Sequence, residues 1–421
     1  MKEFEQIAAL DRDYVLQTYE RYPVLFVRGE GAYLWDSTGQ RYLDLLSGIG
    51  VNALGYAHPA IVDAVTKQVG TGVVHLSNLF HNEHQAALAK KLCEISGLDR
   101  AFIANTGTEA WEGALKFARL HANAVASSGG AKKTRVLAMQ NSFHGRSMGS
   151  LSTTGQAKYR EPFAPLVPEI EFIEFNDVAA LEGSFDESVA AVCMETVQGE
   201  GGVVPVTADF LRTARRLTQG TGALLVLDEI QCGLGRTGKW FAYQHYGVTP
   251  DIVTVAKPIA GGLPLAAVLM TEAVAKTVKA GLHGTTFGGG PLACAAGLAA
   301  LNAMDSEKLL EHAAELGAYI RERMIKLQSG CDAVISVRVM GLMIGVELDS
   351  GDLAKAVVQK MLARKIIINR THETVIRMLP PYIITRAQAD EMLSNFEEVL
   401  QQEQAAQAVG AQSMAGGTKI G

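Results

Sequence analysis

From about His58 to Asp305, short apolar runs alternate with amphipathic stretches. Arg135–Met139, Ala190–Met194, Ala223–Leu227 and Ile252–Ala256 are β-branched or leucine-rich, and segments of helical period lie between them. That alternation predicts an α/β unit, a mostly parallel sheet wrapped by helices. Ahead of it, strand-like Ala32–Asp36 and Arg41–Leu45 flank the turn signal Ser37-Thr38-Gly39-Gln40, a small β-rich lead-in. After Glu307 a helical run reaches Leu327, followed by strand-like Val334–Val339 and Met343–Leu348, another helix, and a last helix near Arg386–Glu403. This reads as a smaller α+β domain. The expected division is residues 1–55 as an N-terminal segment of the small domain, 56–305 as the large domain, and 306–403 as the C-terminal part of the small one. Residues 404–421, rich in Ala, Gln and Gly, lack the large apolar side chains that ordering requires, and disorder is expected there.

The composition narrows what the molecule can meet. At 421 residues the chain exceeds one compact domain, and 48% hydrophobic with 19% charged residues leaves an apolar excess that burial in an oligomer would explain. No stretch approaches the ~18 consecutive apolar residues of a membrane span. A net charge of −6, without a Lys/Arg run, argues against nucleic acid or an anionic membrane and for small-molecule partners. Cys93, Cys193, Cys232, Cys294 and Cys331 are odd in number and never in a CxxC pair, so neither disulfides nor zinc are expected. His81 and His84 have no placed third ligand, and no metal site is expected. Met1–Asp11 does not read as a leader, which suggests a cytoplasmic setting.

Three motifs carry candidate chemistry. Gly233-Leu-Gly-Arg-Thr-Gly238-Lys239 fits GxGxxG and most of a phosphate-binding loop. Asp228-Glu229 separates it from its strand, however, and Trp240 stands where a metal-reaching Ser or Thr belongs, so a nucleotide-binding module is only a distant alternative. Thr106-x-x-Glu109 reads as a capping box, either a plain helix start or a helix N-terminus offering free N–H groups to a phosphate. Asp228 and Lys257 each end an apolar strand, at the edge where parallel sheets bind ligands. They are either a structural ion pair or a carboxylate for a protonated pyridine nitrogen beside a lysine whose pKa desolvation lowers.

The strings FIANTGTEAWEGALKFAR, NSFHGRSMGSLSTTG, ETVQGEGGVVPV, LLVLDEIQCGLGRTG, DIVTVAKPIAGGLPLAAVL and HGTTFGGGPLACAAG resemble, in order and spacing, the class III aminotransferases that use pyridoxal 5'-phosphate. The likeness extends from about Tyr19 to Leu400. It implies fold type I, with Lys257 as the lysine bonded to the cofactor aldehyde and Asp228 at the pyridine nitrogen. Gly107 and Thr108 would hold the phosphate, Phe143 would stack on the ring, and Gln231 would lie near its phenolic oxygen. Thr286 would reach the phosphate of a neighbouring subunit and Thr285 the substrate there, so the site would be completed only in a homodimer. Tyr19, Arg146 and Arg377 would receive substrate carboxylates, Glu200 would pair with Arg377 and release it, and Glu195 would support Asp228. The stretches VRGEGAYLWDSTGQRYLDLLSGIGVNALGYAHP and IRMLPPYIIT are most similar to members that take N-acetylornithine. The implied reaction, a step of arginine biosynthesis, converts it with 2-oxoglutarate to N-acetylglutamate 5-semialdehyde and glutamate. Ornithine, 4-aminobutyrate and succinyl-diaminopimelate are the alternative donors. Members acting on free ornithine carry a tyrosine close to the position of Gly48.

Overall fold

The computed structural model describes residues 2–416. Its centre is a seven-stranded sheet, in the order Arg100–Ala104, Ala266–Met270, Ile252–Val255, Leu224–Asp228, Val189–Glu195, Arg135–Met139, Ile170–Ile173. Only Ala266–Met270 runs antiparallel to its neighbours. All residues of Val189–Glu195, Leu224–Asp228 and Ile252–Val255 are buried, as strands covered on both faces must be. The helix Gly107–Ser127 lies on one face and buries Ala110, Trp111, Ala114, Phe117 and Ala118, a stripe at helical spacing.

Two smaller sheets flank this unit. Val334–Met340, Met343–Leu348, Val375–Met378 and Asn369–Thr371 form an antiparallel one. In the other, the N-terminal strands Phe26–Glu30, Tyr33–Asp36 and Arg41–Asp44 take as edge partner the distant Ile366–Ile367, parallel to Arg41–Asp44 with Leu43 opposite Ile366. The chain's first and last parts therefore share a sheet.

Three features differ from the sequence reading. A helix, Lys2–Tyr14, precedes the N-terminal strands; much of it is exposed, so it carries little of the burial pattern that marks a helix in sequence. The final helix runs Arg386–Gly416, so the tail expected to be disordered from residue 404 is helical through Gly416, while 417–421 lie outside the described residues. Alanine and glutamine have high helix propensity and can extend an anchored helix. The Gly233–Lys239 segment, finally, forms successive turns and opens no helix, and Gly233 through Thr237 are buried. Its glycines admit neighbouring chain: a Cβ at Gly233 would stand 2.6 Å from Glu229 O, and one at Gly238 2.7 Å from Ala314 Cβ. That packing leaves no open cradle for a nucleotide. Among the described residues no helix is long and apolar enough to cross a membrane.

Candidate active site

Parallel pairing brings the carboxyl ends of Leu224–Asp228 and Ile252–Val255 side by side, with Asp228 opposite Thr254. Lys257 follows two residues beyond its strand, at the start of a short 3-10 turn. The edge they share with the N-terminus of Gly107–Ser127 opens onto a cavity of about 370 Å³. Gly107, Thr108, Phe143, Asp228, Gln231 and Lys257 all line it, as does Glu195.

The helix end is built as the sequence suggested. Thr106 Oγ1 accepts from the Glu109 N–H, and the Glu109 carboxylate accepts from the N–H groups of Asn105 and Thr106. The first N–H groups of a helix have no partner within it, so those of Gly107 and Thr108 remain for an anion at the positive end of the dipole. The Thr108 hydroxyl is fixed by Ser147 Oγ at 2.6 Å and Ser150 Oγ at 2.9 Å, and Ser147 in turn donates to Glu112. Gly145, at φ +130°, lets the chain pass here: a Cβ would meet Thr108 Oγ1 at 2.5 Å.

Asp228 is paired with His144 rather than with Lys257, which removes the structural ion pair from consideration. His144 Nδ1–H donates to Asp228 Oδ2 at 2.7 Å, and the Ile230 N–H donates to Oδ1 at 2.9 Å. His144 is itself clamped: Trp111 stacks on it with ring centroids 3.9 Å apart and planes 5° from parallel, and Trp111 Nε1–H donates to Thr153. The sequence reading missed His144, although a buried carboxylate demanded a partner and a histidine follows Phe143 directly. Burial lowers the pKa of Lys257 and the Arg377 charge adds to this, against the opposing pull of Glu200 and Asp228. Glu195, paired in register with Asp228, is pushed up to about 8 by burial and by that neighbouring charge, while the Phe143 and Gly199 N–H groups hold its oxygens.

Beside Gln231 lies the Glu200–Arg377 pair. Arg377 Nη1 stands 2.5 Å from Glu200 Oε1 and 3.2 Å from Gln231 Oε1, and its Nε donates to Asn369. Gln231 needs Gly199 opposite it, where a Cβ would fall 2.1 Å from Gln231 Oε1.

The remaining candidates stand outside the cavity. Tyr19 is 75% exposed. Arg146 is exposed over the Tyr159 ring, just after the lining segment Phe143–Gly145. Thr285 accepts from the side chain of Asn105, a cavity residue, and Thr286 is exposed. Gly48 has φ +64° in a left-handed turn, Ser47–Gly50, whose neighbours Ser47 and Ile49 also have positive φ. Ser47 and Ile49 show that side chains occur in that turn, yet a Cβ at 48 would be strained at this φ and would stand 3.2 Å from Asn52 Nδ2, so the turn favours glycine there.

The cavity suits pyridoxal 5'-phosphate: an N–H and hydroxyl cradle for the phosphate, a buried carboxylate for a ring cation, an aromatic wall, and an amine of lowered pKa. A family model described as aminotransferase class-III matches residues 14–400. The acetylornithine aminotransferase of Caldanaerobacter subterraneus is 43% identical over 390 residues, covering 93% of this chain and 98% of that protein. That of Aquifex aeolicus is 42% identical over 388 residues, covering 92% and 100%. Among solved structures, the ornithine aminotransferase of Toxoplasma gondii superposes with a TM-score of 0.92 at 34% identity, over 96% of this chain and 97% of that one. The acetylornithine aminotransferase of Elizabethkingia anophelis gives 0.83 at 31%, over 95% and 99%.

Proposed function

The chain belongs to the class III aminotransferases, and from that premise we propose that it moves the ω-amino group of N-acetylornithine to 2-oxoglutarate in the cytoplasm, as a homodimer holding pyridoxal 5'-phosphate in this cavity. Residues 56–305 form the cofactor-binding unit of this reading, with 1–55 and 306–403 as the smaller unit. The observation that carries it is the Glu200–Arg377 pair beside the lysine: a carboxylate-binding arginine covered by its own acid suits a site that meets an α-carboxylate in only one half-reaction.

When bound, the cofactor supplies an aldehyde that exchanges amines and a ring that withdraws electrons. Gly107 and Thr108 would hold its phosphate, Phe143 would cover its ring, Gln231 would meet the phenolic oxygen, and Asp228, fixed by His144, would hold a proton on the ring nitrogen. Lys257, which burial inclines toward the neutral form, would serve as nucleophile and then as carrier, taking a proton at Nζ from the substrate carbon and delivering it to the cofactor's aldehyde-derived carbon. Arg146, with Tyr19, receives the donor's α-carboxylate. Arg377, once Glu200 releases it, receives the α-carboxylate of the oxo acid through paired N–H donors. Sequence identity favours N-acetylornithine as donor, and so does Gly48, where no side chain waits for a free α-ammonium.

Support for a second copy comes from two segments that pack together beside Thr286. His75 and Phe287 have ring centroids 5.4 Å apart, and Asn78 donates to Gly288 O. They leave Leu79 89%, Phe80 65% and Phe287 66% exposed, apolar surface that an identical subunit would cover while bringing Thr286 to its neighbour's phosphate. The test is kcat/KM for N-acetylornithine, ornithine and 4-aminobutyrate at saturating 2-oxoglutarate. A ratio near one, or in favour of either free amine, overturns the donor assignment and leaves the family intact.

A further inference from the structure

Among the described residues, Arg146 is the one proposed carboxylate-binding arginine with no acid in salt-bridge reach; Arg377 has Glu200. Its contacts are aromatic instead. The guanidinium carbon lies 4.0 Å from the ring centroid of Tyr159 and 5.6 Å from that of Phe143. Tyr159 meets Phe143 edge-on, with centroids 6.1 Å apart and planes at 80°, and Lys158 sets a second cation 5.2 Å from the Tyr159 ring. Phe143 in turn lines the cavity.

At 4.0 Å a guanidinium is in contact with the ring it covers. Such a contact occupies the flat face of the arginine and leaves its N–H edge free, the edge that matches both oxygens of a carboxylate. An exposed arginine without this support samples many rotamers and must surrender that freedom on binding. Tyr159 is itself half-buried and is held by its own turn, with its N–H donating to Gln156 O.

We propose that Tyr159 is a positioning residue: its ring holds Arg146 with the N–H edge presented to the α-carboxylate of the amine donor at the cavity mouth. This deepens, and rests on, the assignment of Arg146 to that carboxylate. Tyr159 touches neither substrate nor cofactor in this role. The ring matters, not the hydroxyl, so phenylalanine serves as well and an aliphatic residue does not.

The experiment compares Tyr159→Leu, Tyr159→Phe and Arg146→Gln in the full-length holoenzyme. Donors are N-acetylornithine and N-acetylputrescine, the same molecule without its carboxylate. Calorimetry with N-acetylnorvaline, which keeps the carboxylate and lacks the reacting amine, reads binding without turnover. Tyr159→Leu is expected to raise KM for N-acetylornithine and Kd for N-acetylnorvaline about three- to tenfold with kcat nearly unchanged. N-acetylputrescine kinetics, the visible absorbance of the cofactor and Tm stay at parent values, and Tyr159→Phe behaves as the parent. Equal losses with both donors, or a changed cofactor spectrum, would assign Tyr159 a structural role through Phe143 and overturn the proposal. So would unchanged KM and Kd in Tyr159→Leu while Arg146→Gln raises both. If Arg146→Gln itself leaves them unchanged, the assignment of Arg146 fails first and the role of Tyr159 with it.

Discussion

Replacing Glu200 by Gln should leave the protein folded and change its two half-reactions in opposite directions. Glu200 Oε1 lies 2.5 Å from Arg377 Nη1, with Arg377 1% and Glu200 25% exposed. Glutamine keeps the shape and one acceptor oxygen, so the loss is the difference between a charged and a neutral hydrogen bond plus a Coulomb contribution that the partial exposure of Glu200 screens. Together these come to about 1.5–3 kcal/mol, or about ten- to a hundredfold in affinity. Arg377 keeps Gln231 Oε1 and Asn369 Oδ1, each at 3.2 Å, and stays in place. A carboxylate then need not displace a resident acid, and 2-oxoglutarate should bind tighter by up to that factor. N-acetylornithine should react more slowly, because its own carboxylate is now drawn to Arg377 and brings the acylated nitrogen, not the amine, toward Lys257. Rapid mixing of each half-reaction, followed by cofactor absorbance, separates the two effects. Equal changes in both halves, or weaker binding of 2-oxoglutarate, refute the reasoning. A pH series adds a second check. Burial would raise the pKa of Glu200, but Arg377, and then Lys257, outweigh it and hold the group below its ordinary 4.5. For an acid depressed in the folded state, the stabilisation is complete above the ordinary value and is lost as pH falls through the depressed one. The Tm gap between parent and variant should therefore be full at neutral pH and shrink as pH falls below the ordinary value of 4.5.

Three further outcomes are expected. Lys257→Ala abolishes turnover with Tm retained; mixed with a Thr286→Trp chain it should regain part of the activity, and no recovery after verified subunit exchange counts against a shared site. Gly199→Ala, whose Cβ would stand 2.1 Å from Gln231 Oε1, must push that side chain off Arg377. kcat/KM for 2-oxoglutarate should fall about fivefold or more for one lost hydrogen bond to a charged group, and parent kinetics would show that Gln231 does not hold Arg377. His144→Leu leaves the Asp228 carboxylate buried with a single N–H partner, a loss of about 1.5–3 kcal/mol for a hydrogen bond to a charged group. It should appear as a lower Tm and weaker cofactor binding in titrations of the apoprotein, whereas an unchanged cofactor Kd would make the His144–Asp228 contact incidental.

What could be read in the sequence was what local pattern controls. The strands ending in Asp228 and before Lys257 are short apolar runs, and parallel strands put their carboxyl ends together by rule, so the two residues could be placed at one edge. The Thr106–Glu109 capping box is likewise complete within four positions. His144 could not be assigned to Asp228, because the two are 84 positions apart and nothing local encodes their contact. Glu200 and Arg377, 177 apart, were joined only through the family resemblance. Burial pattern also fails where burial is slight, which is why the helix Lys2–Tyr14 went unnoticed, and the tail read as disorder because its composition lacks large apolar side chains. Tyr159 gave no signal, since its role depends on which ring an exposed arginine meets.

The parallel pairing of Arg41–Asp44 with Ile366–Ile367 bears on how the chain is made. Leu43 N–H donates to Lys365 O, Leu45 N–H to Ile367 O, and Lys365 Nζ to Tyr42 Oη across 323 positions. A ribosome releases the N-terminal strands long before this neighbour exists; at about 5–20 residues per second the wait is roughly a quarter of a minute to a minute. Throughout that interval the backbone donors and acceptors along one side of Arg41–Asp44 are open to any other nascent strand. Substitutions along this edge should therefore register in the yield of soluble protein during synthesis, and in its dependence on chaperones and temperature, well before they register in the stability of the finished enzyme.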